Sequence, residues 1–526
     1  MFMDILERLL DYYSLTKEEY EYLSRPIEKI SLLDASKIKD MDKITSRIFK
    51  AIENKEKIII YGDYDCDGIS ATSIMVKTFK LLNYPTYHYI PSRYIDGYGL
   101  NVNNVKKMKE NGFSLIITVD NGISTFDAID EANKNNIDVI VVDHHEVIND
   151  TLPSAYAILH PIVSEVSKIY ASGGYMSLFL SRALLGYYDD YLVTIAGLSV
   201  ISDLMELKEY NRDVVRLAIN NLKTKRYLPL MLLVDNKDII SEKTFSLDIA
   251  PKINAVGRII TNKSINQLVN FLTSEDSSEI INLSSWIKTI NDKRKELTKE
   301  ASELIDKDEL NEPAIILKLD IKEGLIGLVA NRLLSEYNKV SIIFTEDEKD
   351  PSILKGSARS KEGFNISKAF QSLDKYLLTG GGHALAGGLS IKKEDFESFK
   401  KDFNALVEQY PIIETENVTI PLELNEITFE NYKIYKSLSP YGMGFKEPIF
   451  KIKDLSTHNL KFISMGKHLS TELTIRSKLL GFNIPIEEVS KYSNIDLEGS
   501  FNLSSFKQKE TLEFRITKWY PSKVSN

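Results

Sequence analysis

From Lys57 onward, five short runs rich in β-branched and aromatic residues, KIIIYGDYD, PTYHYIPSR, LIITVDNG, DVIVVDHH and AYAILHP, alternate with helical stretches such as GISATSIMVKTFKLL and STFDAIDEANKNN. Strands alternating with helices of this length build a parallel sheet covered on both faces. Ligands bind such a sheet beyond the carboxyl ends of its strands, and here those ends are acidic. The first run closes on Asp63, Asp65 and Asp67, the third on Asp120, and the fourth on Asp143, His144 and His145. A turn by itself favours Asp and Gly, as in DYDCDG. Five carboxylates and two histidines at three of these strand ends point instead to a site.

Hard divalent cations such as Mg2+ and Mn2+ take carboxylate oxygen and water, and Mn2+ tolerates imidazole best. Asp63, Asp65, Asp67, Asp120 and His144 supply that donor set. Two such ions can clamp the attacking and leaving oxygens of a phosphoryl displacement, which requires a bridging carboxylate from a separate strand. Asp120 is the candidate bridge. A further carboxylate, Asp203, lies in the apolar stretch TIAGLSVISDLMEL, where an isolated charge is costly to bury unless paired or metal-bound. Read alone, it is a helix cap or a loop residue. Next to a ligating His144, His145 can point elsewhere and serve a phosphate or a leaving oxygen as general acid. Cys66 is the only cysteine, so neither an intrachain disulfide nor a thiolate metal site is available. It reads as a small packed residue between ligands.

A chain of 526 residues exceeds what one core supports, and several domains are expected. Residues 1–50 read as amphipathic helices broken near Ser14 and Thr16. Between about 205 and 310 the sequence is helical and charged, a connector between two lobes. A second α/β module follows, with strands at PAIILKLD and VSIIFTE and the helix GLIGLVANRLLSEY. Within it LKGSARS sets Ser357 and Arg359 on one face of an extended segment, and TGGGHALAGG sets His383 among glycines. Arginine gives two-pronged contacts to phosphate, and glycine backbone approaches an anion closely; a glycine run alone also makes a tight turn. From about 412 short alternating runs with Gly turns suggest a small β-barrel. The net charge of −9 argues against coating nucleic acid through bulk electrostatics, although a basic groove on an acidic body is compatible with it. From Lys451 to the end, 12 Lys or Arg stand against 8 Asp or Glu. The first residues carry acids where a secretion leader needs bases, and no apolar run approaches about 18 residues. A cytoplasmic location without a membrane anchor is expected.

Taken together, YGDYDCDGISA, TVDNG, VVDHH and SDLMEL resemble the four metal-site motifs of the DHH phosphoesterases. IPSRYIDGYGL, PKINAVGRI, EGLIGLVANRL, GSARS and GGGHALAGGL narrow the resemblance to the RecJ family of single-strand-specific exonucleases, over about residues 50 to 450. The resemblance implies a parallel-sheet DHH lobe (51–215) after an N-terminal helical segment (1–50). A helical connector (216–308), a DHH-associated α/β lobe (309–411) and an oligonucleotide-binding barrel (412–526) would follow. It implies two Mn2+ or Mg2+ ions held by Asp65, Asp67, Asp120, His144 and Asp203, with Asp63 as ligand or close support. Asp67 and Asp120 then take part in catalysis, and His145 stands nearest the scissile phosphate. Arg93, Arg258, Ser357, Arg359 and His383 match positions that hold DNA phosphates. The implied activity is 5′-to-3′ degradation of single-stranded DNA to mononucleotides in repair and recombination. A single-strand-binding protein and a helicase are candidate partners, and the enzyme would be a monomer. The chain departs from the family where Ile321 and Lys322 replace Trp-His, where His160 replaces Asn before Pro161, and in the closing run FNLSSFKQKETLEFRI.

Two rivals remain. One is a DHH phosphodiesterase of short oligonucleotides or cyclic dinucleotides, which would need neither the barrel nor the long connector. The other is a non-catalytic single-strand-binding scaffold, which loss of Asp67, Asp120 or His144 would have favoured; all are present.

Overall fold

The structure is a computed structural model that describes residues 4–29, 32–35, 38–147, 150–165, 171–303, 308–410, 418–506 and 509–522. The boundary expected between 411 and 412 lies outside the described residues. Two short helices come first, α1 (Ile5–Tyr13) and α2 (Lys17–Ser24), each opened by a reciprocal cap, Asp4 with Glu7 and Thr16 with Glu19. Ser14, in the left-handed region, ends α1 at the break expected there. Helix α3 (Met41–Glu53) then leads into the first lobe.

The first lobe alternates β1 (Lys57–Tyr61), α4 (Cys66–Leu81), β2 (Tyr87–Tyr89), α5 (Val102–Glu110), β3 (Phe113–Val119), α6 (Phe126–Lys134), β4 (Asp138–Val142) and β5 (Ala157–Leu159). Its sheet has the order β2-β1-β3-β4-β5, parallel throughout. Strand pleating explains why both faces are apolar: Ile58 and Ile60 enter one core while Ile59 and Tyr61 enter another. Helices α5 and α6 cover the second face. The first face packs on α4, α7 (Gly173–Leu185) and α8 (Asp190–Ser202).

The connector is not a free spacer. Helices α9 (Glu209–Lys225), α10 (Leu228–Leu233), α11 (Ala250–Ile259) and α12 (Gln267–Thr273) bury Leu217, Leu230, Ile253 and Phe271 in the same core as β1. Helix α13 (Ser277–Glu303) reaches the second lobe: Ile280, Ile287 and Ile290 belong to the first lobe's core, while Ala301 packs under the second lobe.

The second lobe comprises β6 (Ile315–Lys318), α14 (Glu323–Tyr337), β7 (Ser341–Glu346), β8 (Ile353–Arg359), α15 (Ile366–Ser372), β9 (Leu377–Gly382), β10 (Ala386–Lys392) and α16 (Phe396–Gln409). Its sheet order is β6-β7-β8-β10-β9, with only the first pair parallel.

The C-terminal unit is one seven-stranded mixed sheet. It is built from β11 (Ile420–Pro421), α17 (Phe429–Ser437), β12 (Phe450–Ser456), β13 (Phe462–Ile463), β14 (His468–Thr474), β15 (Ser477–Gly481), α18 (Ile486–Val489), β16 (Asn494–Phe506) and β17 (Lys509–Pro521). The divergent closing run supplies its longest pair, β16 with β17. The segment 1–50 is divided between two cores: Ile5 and Leu9 of α1 pack into this unit, whereas Met41, Ile44 and Ile48 of α3 join the first lobe. Arg212 of α9 fastens the two bodies. Its guanidinium donates to the carbonyls of Pro440 and Leu438 and lies 4.7 Å over the Phe445 ring.

Candidate metal centre and its arginine neighbour

Asp63 leaves the end of β1, and Asp65 is the N-cap of α4. The Asp65 carboxylate accepts from the backbone N–H of Asp67 at 2.9 Å and of Gly68 at 3.0 Å, where the helix dipole favours negative charge. A Cβ at Gly68 would stand 2.6 Å from the Asp63 backbone, so glycine is required where the motif folds on itself. Asp67, in the first turn, is buried and accepts from Gly173 and Gly174 N–H at 2.8 Å each and from the Ser199 hydroxyl. The two glycines open α7, and a Cβ at Gly173 would come within 2.5 Å of Asp120 Oδ1. Asp120 follows β3 in the left-handed region at φ 60°, which aims its buried carboxylate back at α7 and His144. Asp203 caps the carboxyl end of α8.

His144 Nε2 lies 3.1 Å from Asp120 Oδ1, 3.6 Å from Asp67 Oδ2 and 3.6 Å from Asp203 Oδ2. Burial pushes its pKa down to about 4, so the ring is neutral at pH 7 and keeps a lone pair. Four of the carboxyls shift upward. Burial, then the charge of neighbouring aspartates, raises Asp67 to about 6 and Asp203 to about 8, and lifts Asp63 and Asp120 well above the usual range. Asp63 Oδ1 and Asp203 Oδ2 are buried without a hydrogen-bond partner. Orphaned acceptors among crowded carboxylates are costly in the absence of a cation. The donor set fits a hard divalent ion. Asp67, His144 and Asp203 bring three ligand atoms within 4.8 Å of one another, and so do Asp63, Asp65 and Asp120. Asp120, His144 and His145 form a third such group, which shares a residue with each of the other two.

The His145 ring is bonded to Asp143, whose role the sequence pattern alone did not assign. Asp143 is buried; its Oδ1 accepts from His145 Nδ1 at 2.8 Å and from His144 N–H at 2.7 Å, and its Oδ2 accepts from Ile123 N–H at 2.9 Å. Burial would lower the His145 pKa, but the Asp143 bond and charge outweigh it and hold it at about 9. Burial would likewise raise Asp143, and the same pairing holds it at about 2. His145 is thus a protonated, half-exposed imidazolium whose Nδ1 and Nε2 lie 3.3 Å and 3.2 Å from the Tyr98 hydroxyl. His160, expected to affect substrate contacts, is buried beneath the site, with Nε2 2.8 Å from the His145 carbonyl. The signal for Asp143 was its place in VVDHH; nothing local marked Gly173, Gly174, Ser199 or Tyr98 as supports.

Beside the acids lies a set of arginines. The Arg93 guanidinium sits 4.3 Å over the Tyr64 ring, and its buried Nε has no partner. Arg258, at the end of α11, donates to the Gly324 carbonyl at 3.1 Å. Burial, then the charges of Arg93 and Arg359, push its pKa down to about 10. Arg359 donates to Ser357 Oγ at 2.9 Å and to the Ala358 carbonyl at 2.7 Å. Close approach here depends on the glycines of EGLIG: a Cβ at Gly324 would stand 2.5 Å from the Arg258 carbonyl, and one at Gly327 would stand 2.8 Å from Arg359 Nη2. Lys322, one of the family departures, bridges the lobes by donating to the Ile259 carbonyl at 3.2 Å. Ile321 is half-buried and packs against cores of both lobes. His383 is exposed on the β9–β10 hairpin, where its backbone N–H donates to the Ala386 carbonyl at 2.8 Å.

Three family models match the chain in succession: the DHH family N-terminal domain over residues 57–237, the DHHA1 domain over 311–409 and the RecJ OB domain over 418–518. The chain is 32% identical over 505 residues to the single-stranded-DNA-specific exonuclease RecJ of Bacillus subtilis (strain 168), a match covering 92% of this chain and 64% of that protein. It thus spans a little under two thirds of that relative's length. To the Escherichia coli (strain K12) protein of the same name it is 29% identical over 487 residues, covering 85% of this chain and 82% of that one. The crystal structure of exonuclease RecJ bound to manganese aligns with a TM-score of 0.59 at 26% identity, over 71% of this chain and 96% of the other. The structure of RecJ in complex with Mn2+ from Thermus thermophilus aligns at TM-score 0.82 and 22% identity, over 99% of this chain and 76% of the other, a likeness of fold. No helix among the described residues is long and apolar enough to cross a membrane.

Proposed function

The chain belongs to the RecJ family, and on that premise we propose that it is a metal-dependent exonuclease degrading single-stranded DNA from the 5′ end to mononucleotides. The observation that carries this reading is a cluster of buried carboxylates around a neutral His144, with Asp63 Oδ1 and Asp203 Oδ2 left unpartnered, beside arginines whose bonds go to carbonyls and a hydroxyl rather than to acids. One group calls for cations and the other for phosphates.

Asp63, Asp65, Asp67, Asp120, His144 and Asp203 would hold two Mn2+ or Mg2+ ions. When bound, such ions lower the pKa of a water nucleophile and offset charge developing on the phosphoryl oxygens. Ser199 and the backbone of Gly173 and Gly174 keep the Asp67 carboxylate in one orientation, as supporting groups do around metal ligands. Asp143 keeps a proton on His145 Nδ1, which leaves the Nε2 proton for a phosphate or leaving oxygen. Arg93, Arg258, Ser357 and Arg359 would grip phosphates near the 5′ end; His383, on its exposed hairpin, would meet the strand at the rim. Single-strand specificity would follow from a passage between the lobes too narrow for a duplex. The same reading carries a role in repair and recombination, a cytoplasmic monomer, and a single-strand-binding protein and a helicase as partners.

The test is purified protein with Mn2+ or Mg2+ on single-stranded DNA labelled at either end, with a duplex and a dinucleotide as controls. Mononucleotides released progressively from the 5′ end of the single strand alone are expected. Cleavage confined to the dinucleotide would move the chain to the short-substrate phosphodiesterases, and binding without cleavage would favour a scaffold.

A further inference from the structure

The arginine set has a member that the motifs do not mark. Arg294 lies in α13, the helix that passes from the first lobe to the second. Its charge, like those of Arg93 and Arg359, acts on Arg258, so three guanidiniums lie within electrostatic range of the Arg258 one. Arg294 Nη2 donates to Asn291 Oδ1 at 2.9 Å, one turn earlier on the same helix, and Asn291 is buried. Its Nε is buried with no partner. An arginine that merely braces a fold is expected to meet a carboxylate or to spend its donors on carbonyls. Here one prong is fixed by a neutral amide, a buried donor is left over, and the Asp292 carboxylate acts on it only through its charge, without a bond.

We propose that Arg294 is a fourth phosphate-gripping arginine, one that holds the backbone of the bound single strand from the bridging helix. The inference rests on the proposed function and deepens it. A phosphate would accept from the outer Nη donors of Arg294 and offset the positive charge that Arg93, Arg359 and Arg294 bring to bear on Arg258, and a guanidinium already steadied by Asn291 loses little freedom on binding. Because α13 belongs to both lobes, a strand held there is held at the seam, with the acidic centre on one side and Arg359 on the other.

The test measures binding of a single-stranded oligonucleotide to the full chain in EDTA, where it is not cut, over a range of salt concentrations. One lost phosphate contact lowers the slope of log affinity against log salt by about 0.7. Arg294→Gln is expected to show that drop with weaker binding and an unchanged Mn2+ affinity; a wild-type slope and affinity overturn the inference. Should Arg294→Gln fail to fold, the wild-type protein decides: the strand is expected to protect Arg294 from phenylglyoxal, read by mass spectrometry, and equal modification with and without DNA overturns it. A wild type that binds no single strand removes the proposed function and this inference together. A wild type that binds with a steep salt slope that Arg294→Gln leaves unchanged removes this inference alone.

Discussion

The acidic centre and the arginine set are built in opposite ways. Every proposed metal ligand comes from the first lobe, on turns that follow β1, β3 and β4 and at the end of α8. The arginines come from the turn after β2, from α11, from α13 and from β8 of the second lobe. Both gather like charges and leave polar atoms unsatisfied, Asp63 Oδ1 and Asp203 Oδ2 in one, Arg93 Nε and Arg294 Nε in the other. The first site is fixed by one sheet and should tolerate disturbance of the seam. The second exists only while α11, α13, α14 and β8 keep their packing, so strand grip should fail before metal binding does.

The sharpest way to break this contrast is Asp120→Ala. It removes a carboxylate that two of the three ligand groups share, so cleavage should fall by about a thousandfold or more. The same change relieves repulsion, so the metal-free unfolding temperature should not drop. Comparable DNA degradation by this variant would refute the assigned centre. Next in size is a pH effect on the acidic side alone. Metal must displace protons from Asp67, at about 6, and from Asp203, at about 8, so Mn2+ affinity should climb between pH 6 and pH 8, by up to about tenfold per pH unit for each proton released, and level off above. Affinity that is flat across this window in calorimetry would mean the carboxyls are already ionised. On the basic side, Arg359→Ala should weaken single-strand binding about tenfold at matched salt with Mn2+ affinity unchanged. Equal strand affinity would sink its phosphate role, and a parallel loss of metal binding would erase the separation of the two sites. Last is Asp203→Asn in the absence of metal. Asp203 is raised to about 8 in the fold against about 4 unfolded, so its stabilising contribution is full below about pH 4 and is lost as pH rises through 8. The variant should therefore be more stable than the wild type at pH 8.5, by between about 1 and about 5 kcal/mol, the upper figure being about four pKa units at ~1.4 kcal/mol each, and indistinguishable at pH 4. A difference of the same size at both pH values would trace to packing instead.

The acidic centre was legible because strand period, turn chemistry and ligand identity all sit within a few residues of one another. DYDCDG follows a β-branched run, VVDHH another, and a parallel sheet puts such ends side by side. The supports of that centre were not legible. Gly173 and Gly174 lie more than 100 residues from Asp67 in sequence, and glycine at a helix start says nothing of the carboxylate it will face. Likewise the helical character of 1–50 and 216–308 could be read from periodicity, but not their partners. An apolar stripe states that a face must be buried and leaves open which core receives it. That is why α1 joins the C-terminal sheet while α3 joins the first lobe. The family pattern brought Arg93, Arg258, Ser357 and Arg359 to notice, yet it left out Arg294, whose neighbours are set by how α13 crosses two lobes.

The sequence by itself determined the parallel sheet, the ligand chemistry and the order of the units, because these follow from short-range pattern and side-chain type. Only the tertiary structure decided which like charges meet and which buried atoms stay unpaired, because those depend on long-range packing that no local pattern encodes.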